Sequence, residues 1–344
     1  MMLPLTNSRS PSNVLVLGAG NFGTCLAQHL AELGRKVTIW SHLPEIASGI
    51  NSLRRNPRYL STITLSDRIT ATTILTQEVF DSHPIIVHVT PSQTMREVLL
   101  KVKPFWNDNF LLICAAKGIE IASLKLPSEV IDETLGPLAS ERAVILSGPS
   151  FASEVVIHQP TAVTAASFSG ECADAAQRVF HSPFFRVYTS RDPIGLEVAG
   201  ALKNVIAIAT GACRGMGFME NSRAALITRG LAEITRLGVA LGANPMTFKG
   251  LGGVGDLFMT CSSEKSRNFT VGLRLGQGHE LSKVLEEVGV AEGVYTAKAA
   301  HDLARKVGVE TPIIDQVYRV LYGGVSIYEA VKFLTERTAK GEYS

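Results

Sequence analysis

With 344 residues, 46% of them hydrophobic and 19% charged, the chain can bury large ordered cores, which excludes a disordered polymer. A formal net charge of +2 argues against a coat for nucleic acid or a polybasic membrane binder. The five cysteines, Cys25, Cys114, Cys172, Cys213 and Cys261, are odd in number and lack CxxC spacing, so they read as reduced thiols, not a disulfide framework or a zinc site.

Met1 to Asn13 is polar, holds two prolines and lacks the regions of a signal peptide, so it reads as a tail. Val14–Leu17 is a short apolar run suited to a buried parallel strand, and a helical pattern follows from Gly23 to Leu33, stopped by Gly34. Lys36–Trp40 reads as the second strand. Further apolar runs recur at Ile85–Val89, Phe110–Cys114 and Ala143–Leu146, with helix-compatible stretches at Ser92–Lys101 and Pro127–Leu135 between them. Strands alternating with helices predict an α/β fold, a Rossmann-type doubly wound and mostly parallel sheet. Ala162–Ala166 and Phe185–Tyr188 extend it. Beyond residue 195 helical periodicity takes over, with Ile227, Leu231, Ile234, Leu237 and Leu241 on one face, closed by Gly242 and Pro245. The division is therefore a tail (1–13), a dinucleotide-binding domain (14–195) and an all-helical second domain (196–344). No apolar run reaches membrane-spanning length without interruption by Lys, Arg or several glycines, and the expectation is a soluble cytoplasmic protein.

Gly18, Gly20 and Gly23 form GxGxxG between a strand and a helix, the context a dinucleotide fingerprint needs. The first glycine serves the tight turn, the second close approach of a pyrophosphate, and the third helix-on-strand packing beside free helix N–H groups. The second strand ends in Trp40, Ser41 and His42 with no acid for a ribose hydroxyl, and Arg54, Arg55 and Arg58 follow. An acid there would repel a 2′-phosphate, so both NAD and NADP are expected, with preference open; the arginines read equally well as a solvated surface.

Lys117 follows the strand ending near Ala115, on the edge of the sheet that faces the ligand crevice; it also fits a surface turn. Ser147 to Ala152 is a strand-to-helix turn whose N–H groups could line a cofactor. His88, in an apolar strand, reads as packed. Lys203 and Asn204 lie in the apolar run Leu196–Ala212, where a Lys is costly to bury unless paired or used, although such a Lys can also snorkel. The glycines from 250 to 255 lack P-loop context; they either aim Asp256 at a site or form a flexible loop. Ser266 fits the N-cap of a helix running to Leu275, placing Arg267 beside free N–H groups suited to phosphate. No metal-ligand spacing and no GxSxG elbow is present.

Residues 18–27, 116–118, 147–152, 201–207, 225–230, 255–257, 266–268 and 291–293 together resemble the bacterial NAD(P)-dependent sn-glycerol-3-phosphate dehydrogenase family, from about Val14 to the Tyr318–Leu321 region. The resemblance implies Lys203 as the proton-transfer residue. It implies a substrate site of Lys117, Gly148, Ser150, Lys203, Asn204, Asp256, Ser266, Arg267 and Asn268, with Thr260 a lesser candidate. Cofactor positions are Gly18, Gly20, Asn21, Phe22, Gly23, His42, Lys117, Ala152, Arg267, Val290 and Glu292. Asn21 and Phe22 stand where relatives often carry Ser and Trp or Tyr, so aromatic character is kept. The resemblance also implies a homodimer, a small phosphorylated three-carbon substrate and a place in phospholipid precursor synthesis, with no nucleic acid or stable membrane association. Asp256 is expected to favour the ammonium form of Lys203. Competing readings are a β-hydroxyacid or 6-phosphogluconate dehydrogenase relative, whose usual Lys-x-x-x-Asn spacing is absent here, and a non-catalytic dinucleotide sensor.

Overall fold

The computed structural model describes residues 12–339, 341 and 342. Most of the tail, residues 1–11, lies outside the described residues. The first half alternates β1 (Val14–Leu17), α1 (Asn21–Glu32), β2 (Val37–Trp40), α2 (Pro44–Leu53), β3 (Ile69–Thr72), α3 (Gln77–Asp81), β4 (Ile85–His88), α4 (Met95–Val102) and β5 (Leu111–Cys114). There follow α5 (Pro127–Leu135), α6 (Pro137–Arg142), β6 (Val144–Ser147), α7 (Ala152–Val155), β7 (Thr161–Ala166), α8 (Gly170–Phe180) and β8 (Phe185–Ser190). The rest is helical: α9 (Pro193–Gly215), α10 (Glu220–Ala240), α11 (Asp256–Cys261), α12 (Arg267–Gly276), α13 (Leu281–Val288), α14 (Glu292–Lys306), α15 (Pro312–Tyr322) and α16 (Ile327–Thr335).

The eight strands form one sheet in the order β3-β2-β1-β4-β5-β6-β7-β8. Every pair is parallel except β6 with β7. Strand order reverses between β1 and β4, so a crevice opens beyond their carboxyl ends. The strands read as continuous apolar runs because both faces are covered. Val14, Val16 and Val87 pack with Leu26 and Leu30 of α1 on one side; Leu15, Leu17 and Ile86 pack with Leu99 of α4 and Ile131 of α5 on the other.

Two elements differ from the sequence expectation. β3 is an edge strand with one buried residue, Ile69, so no apolar run announces it. Within 92–101 the first three residues form a 3₁₀ turn, and the α-helix starts only at Met95.

α9 is the axis of the helical part, touching β6, α10, α11, α12, α14 and α15. By length and mean hydropathy it passes for a membrane span, but Lys203 and several glycines interrupt its apolar run, as the sequence led one to expect, and it is buried as a core helix. Its approach to α12 is backbone on backbone: a Cβ at Gly211 would run into the Phe269 carbonyl, and one at Gly272 into the Ile208 carbonyl. This contact fixes the start of α12 relative to the middle of α9, where Lys203 sits.

Candidate active site

The fingerprint behaves as its glycines require. Gly18 has φ +117, a conformation that strains any side chain. Gly20 is the N-cap of α1 without a side-chain cap bond, and a Cβ there would meet no atom within 4 Å, so its backbone is open to a ligand. A Cβ at Gly23 would collide with the Gly18 carbonyl. The first-turn amides of α1, with no acid in that turn, are ready donors for a pyrophosphate. Asn56, fully buried, holds this turn: its Nδ2 donates to the Ala19 carbonyl at 2.9 Å and to Thr24 Oγ1 at 2.8 Å. Its Oδ1 accepts from the amides of Arg58 and Tyr59, both at 3.1 Å. These residues fit a dinucleotide.

Around that turn, Asn21 is exposed and Phe22 half-buried against the core, and His42 is exposed just past β2. The three arginines have local partners. Arg54 Nε donates to the Leu65 carbonyl at 3.0 Å, Arg55 to the Ser61 carbonyl at 3.4 Å, and Arg58 pairs with Glu45 at 2.6 Å. His88 is fully buried, and burial pushes its imidazole down to about 4, so it is neutral and packed.

The second group gathers at Asp256. Lys203 Nζ lies 2.9 Å from Asp256 Oδ1 and donates to Thr260 Oγ1 at 2.8 Å; Lys117 Nζ donates to Asp256 Oδ2 at 2.8 Å. Thr260, one turn along α11, donates in turn to the Asp256 carbonyl at 2.6 Å. Residues 251–255 form a turn kinked at Gly253 that leads into α11, and α11 opens on Asp256 with its side chain fully buried. Asp256 is fully buried and Lys203 6% exposed, whereas Lys117 keeps a fifth of its side chain open to solvent.

Burial is the largest influence on Lys203 and pushes its ammonium from 10.5 down to about 8; Asp256 pulls it back up and Lys117 repels it further down. The expectation that Asp256 would favour the ammonium form is thus met in direction and outweighed in sum, because desolvation of a charge exceeds one pairing. Burial also pushes Asp256 upward, but the two lysines together hold its carboxyl below the usual value. Two ammonium groups on one carboxylate leave a net positive pocket that suits an anion.

The third group lies at the start of α12. Ser266 Oγ caps the helix by accepting from the Phe269 amide at 3.3 Å. Arg267, the first helical residue, is exposed and makes no hydrogen bond or ion pair among the described residues. Asn268 is buried and both ends of its amide are engaged: Nδ2 donates to Asn204 Oδ1 at 3.0 Å, and Oδ1 accepts from the Gly293 amide at 2.8 Å. Asn204 therefore faces Asn268, with its own Nδ2 on the Gly200 carbonyl at 3.4 Å.

Gly148 at the end of β6 has φ +146, and Ser150 Oγ donates to its carbonyl at 3.0 Å. Ala152 opens α7 beside the core, Val290 is exposed, and Glu292 opens α14 with its carboxylate accepting from Ser92 Oγ at 2.7 Å. Gly18, Lys117 and Gly148 all follow carboxyl ends of parallel neighbours, β1, β5 and β6, and so share one edge of the sheet. No hydrogen bond among the described residues joins Asn21, Phe22, His42, Ala152 or Val290 to the lysine cluster. Asn56, Ser92 and Gln93 escaped the sequence reading, and Ser147 was read there only as the start of the turn running to Ala152. Ser147 Oγ is buried and has no partner among the described residues, and a Cβ on Gly200 would lie 3.1 Å from it.

A glycine-rich turn on a doubly wound sheet, with Lys117 on the same sheet edge joined to a buried lysine–carboxylate cluster of α9 and α11, defines the class of dinucleotide-dependent dehydrogenases. Family models described as the N-terminus and C-terminus of NAD-dependent glycerol-3-phosphate dehydrogenase match residues 13–173 and 192–332. The chain belongs to that family. It is 47% identical over 330 residues to a glycerol-3-phosphate dehydrogenase [NAD(P)+] of Citrifermentans bemidjiense, covering 96% of this chain and 98% of that protein. It is 49% identical over 328 residues to the protein of the same name from Syntrophobacter fumaroxidans, covering 95% and 96%. The crystal structure of glycerol-3-phosphate dehydrogenase from Coxiella burnetii superposes with TM-score 0.90 at 36% identity, over 95% of this chain and 99% of that one.

Proposed function

We propose that the chain interconverts dihydroxyacetone phosphate and sn-glycerol 3-phosphate with NAD or NADP. The observation that carries this is the pair of lysines on Asp256, with Lys117 on the same sheet edge as the open turn of Gly18 and Gly20, together with the uncommitted Arg267 at the start of α12. When bound, the reduced dinucleotide supplies a hydride to C2 of the ketone. As negative charge grows on the C2 oxygen, the Lys203 ammonium stabilises it and gives up a proton. An ammonium brought down to about 8 suits this, being protonated at neutral pH yet acidic enough to transfer. Asp256 and Thr260 fix the Lys203 nitrogen. Lys117 keeps Asp256 ionised after Lys203 becomes neutral.

Arg267 and the amides at the start of α12 receive the phosphate, a non-reacting handle whose binding energy positions the carbon. Lys117, Gly148, Ser150, Asn204, Ser266 and Asn268 complete the substrate site. Gly18, Gly20, Asn21, Phe22, Gly23, His42, Ala152, Val290 and Glu292 serve the dinucleotide, with Lys117 and Arg267 touching both ligands.

The likeness to bacterial relatives supports further readings: residues 14–195 as the dinucleotide domain, 196–344 as the substrate and dimerisation domain, and a cytoplasmic homodimer that supplies glycerol phosphate for phospholipid synthesis. The test is nicotinamide absorbance in parallel wells with dihydroxyacetone phosphate, 6-phosphogluconate and 3-hydroxybutyrate. Turnover of the first alone supports the proposal; turnover of a hydroxy acid alone refutes it.

A further inference from the structure

Ser92, in the turn after β4, and Glu292, at the start of α14, are 200 residues apart, yet Ser92 Oγ donates to Glu292 Oε2 at 2.7 Å. The hydroxyl is itself fixed. Ser92 is 4% exposed, and its oxygen accepts from Gln93 Nε2 at 3.2 Å. That amide is anchored in turn: its Nε2 also donates to the Ile119 carbonyl at 2.8 Å, and its oxygen, Gln93 Oε1, accepts from the Ile121 amide at 3.1 Å. With Gln93 filling an acceptor site, the single hydroxyl proton is directed at the carboxylate. Gly118 leaves the room: a Cβ there would run into Ser92 Oγ and lie 3.3 Å from Glu292 Oε2. On the other side, the amide of Gly293 is held by Asn268, which also holds Asn204 beside Lys203.

We propose that Ser92 is a positioning residue for the dinucleotide, its hydroxyl holding the Glu292 carboxylate in the orientation that meets the bound cofactor. The proposal rests on the reading of Glu292 as a cofactor residue. A carboxylate held before the ligand arrives loses less side-chain freedom on binding, and affinity gains accordingly. Burial pushes the Glu292 carboxyl upward, while the Ser92 hydrogen bond and the Arg267 charge resist it and favour the ionised acceptor. None of this touches the C2 oxygen, so its effect belongs to cofactor binding and not to the proton transfer.

The test is NADH affinity, by fluorescence titration of the full chain, for wild type, Ser92→Ala, Ser92→Cys, Glu292→Gln and the double variant Ser92→Ala/Glu292→Gln. Loss of a hydrogen bond to a charged group is expected to weaken NADH about tenfold in Ser92→Ala, with a rise in cofactor KM that exceeds any fall in kcat. The double variant is expected to match Glu292→Gln within about twofold, since the hydroxyl acts only through that carboxylate. If the two single losses multiply, or Ser92→Ala binds NADH like wild type, the role of Ser92 is overturned while Glu292 keeps its own. If Glu292→Gln alone binds NADH like wild type, the reading of Glu292 fails and the proposal falls with it. Ser92→Cys fills nearly the same space with a weaker donor, so it carries the same comparison should Ser92→Ala not fold: weaker NADH binding supports the proposal and unchanged binding overturns it.

Discussion

Lys117 and Lys203 hold opposite oxygens of one carboxylate, Asp256 Oδ2 at 2.8 Å and Oδ1 at 2.9 Å. One lysine comes from the turn after β5 and the other from the middle of α9, so the carboxylate ties the sheet edge to the helical part at the place where chemistry is proposed. The arrangement makes the two lysines unequal: Lys203 is desolvated, and Lys117 reaches solvent.

This inequality has a pH signature. Lys203 is proposed to donate a proton and is brought down to about 8. The kcat/KM for reduction is therefore expected to fall as pH rises through about 8. Asp256→Asn removes the influence that pulls Lys203 up and leaves the repulsion from Lys117, so the alkaline limb should move to lower pH. A limb that stays in place in this variant would separate Asp256 from the titrating group.

Arg267 is expected to act through the substrate phosphate. Arg267→Lys should lower kcat/KM for dihydroxyacetone phosphate more than tenfold, because a point charge does not reproduce the bidentate fork and a broken desolvated charge pair costs about 2–5 kcal/mol. Phosphate-free dihydroxyacetone should be a poor substrate for wild type and lose little further in the variant. Equal fractional losses on both substrates would assign Arg267 to the cofactor or the fold.

The cofactor choice follows from Ser41 and His42 at the end of β2, where no carboxylate meets a 2′-phosphate. Steady-state assays are expected to give turnover with both NADH and NADPH. Complete rejection of NADPH would mean that another group closes this space.

Glu197, on α9, accepts from the amide and hydroxyl of Ser128 at the start of α5, both at 2.7 Å. Burial raises its carboxyl from 4.5 to about 8, against the pull of those bonds. A folded-state value above the unfolded one means that the folded chain holds the proton more tightly. Its contribution to stability is complete below pH 4.5 and is lost as pH rises to about 8. Glu197→Gln should flatten the pH dependence of Tm across that window. An unchanged slope would assign it elsewhere, Glu233, raised to about 7, being the next candidate.

Much of the fold was legible because it rests on apolar runs covered on both faces: β1, β2, β4, β5 and β6 lie where such runs stand, and α5 matches Pro127–Leu135 to the residue. β3 was not legible, since an edge strand of Ile69–Thr72 buries too little to stand out from a loop. Lys203 was legible because a charge inside an apolar helix demands a partner. That partner was not, from local pattern alone: the glycines before Asp256 read as readily as a loose loop, and only the folded chain shows them as a kinked turn that delivers Asp256 to the first residue of α11. Asn56 and Ser92 were hidden for another reason. Each is a single polar residue in a turn, and its meaning comes from partners that only folding brings near.

The central claim is that Lys203 moves the proton at C2. Rapid-mixing measurement of NADH oxidation by dihydroxyacetone phosphate in Lys203→Ala, with NADH affinity measured alongside, tests it most directly. The expected result is a chemical step slowed by about 10²–10⁴ with NADH still bound. A step within a few-fold of wild type would contradict the assignment, and loss of NADH binding would instead make Lys203 a structural residue.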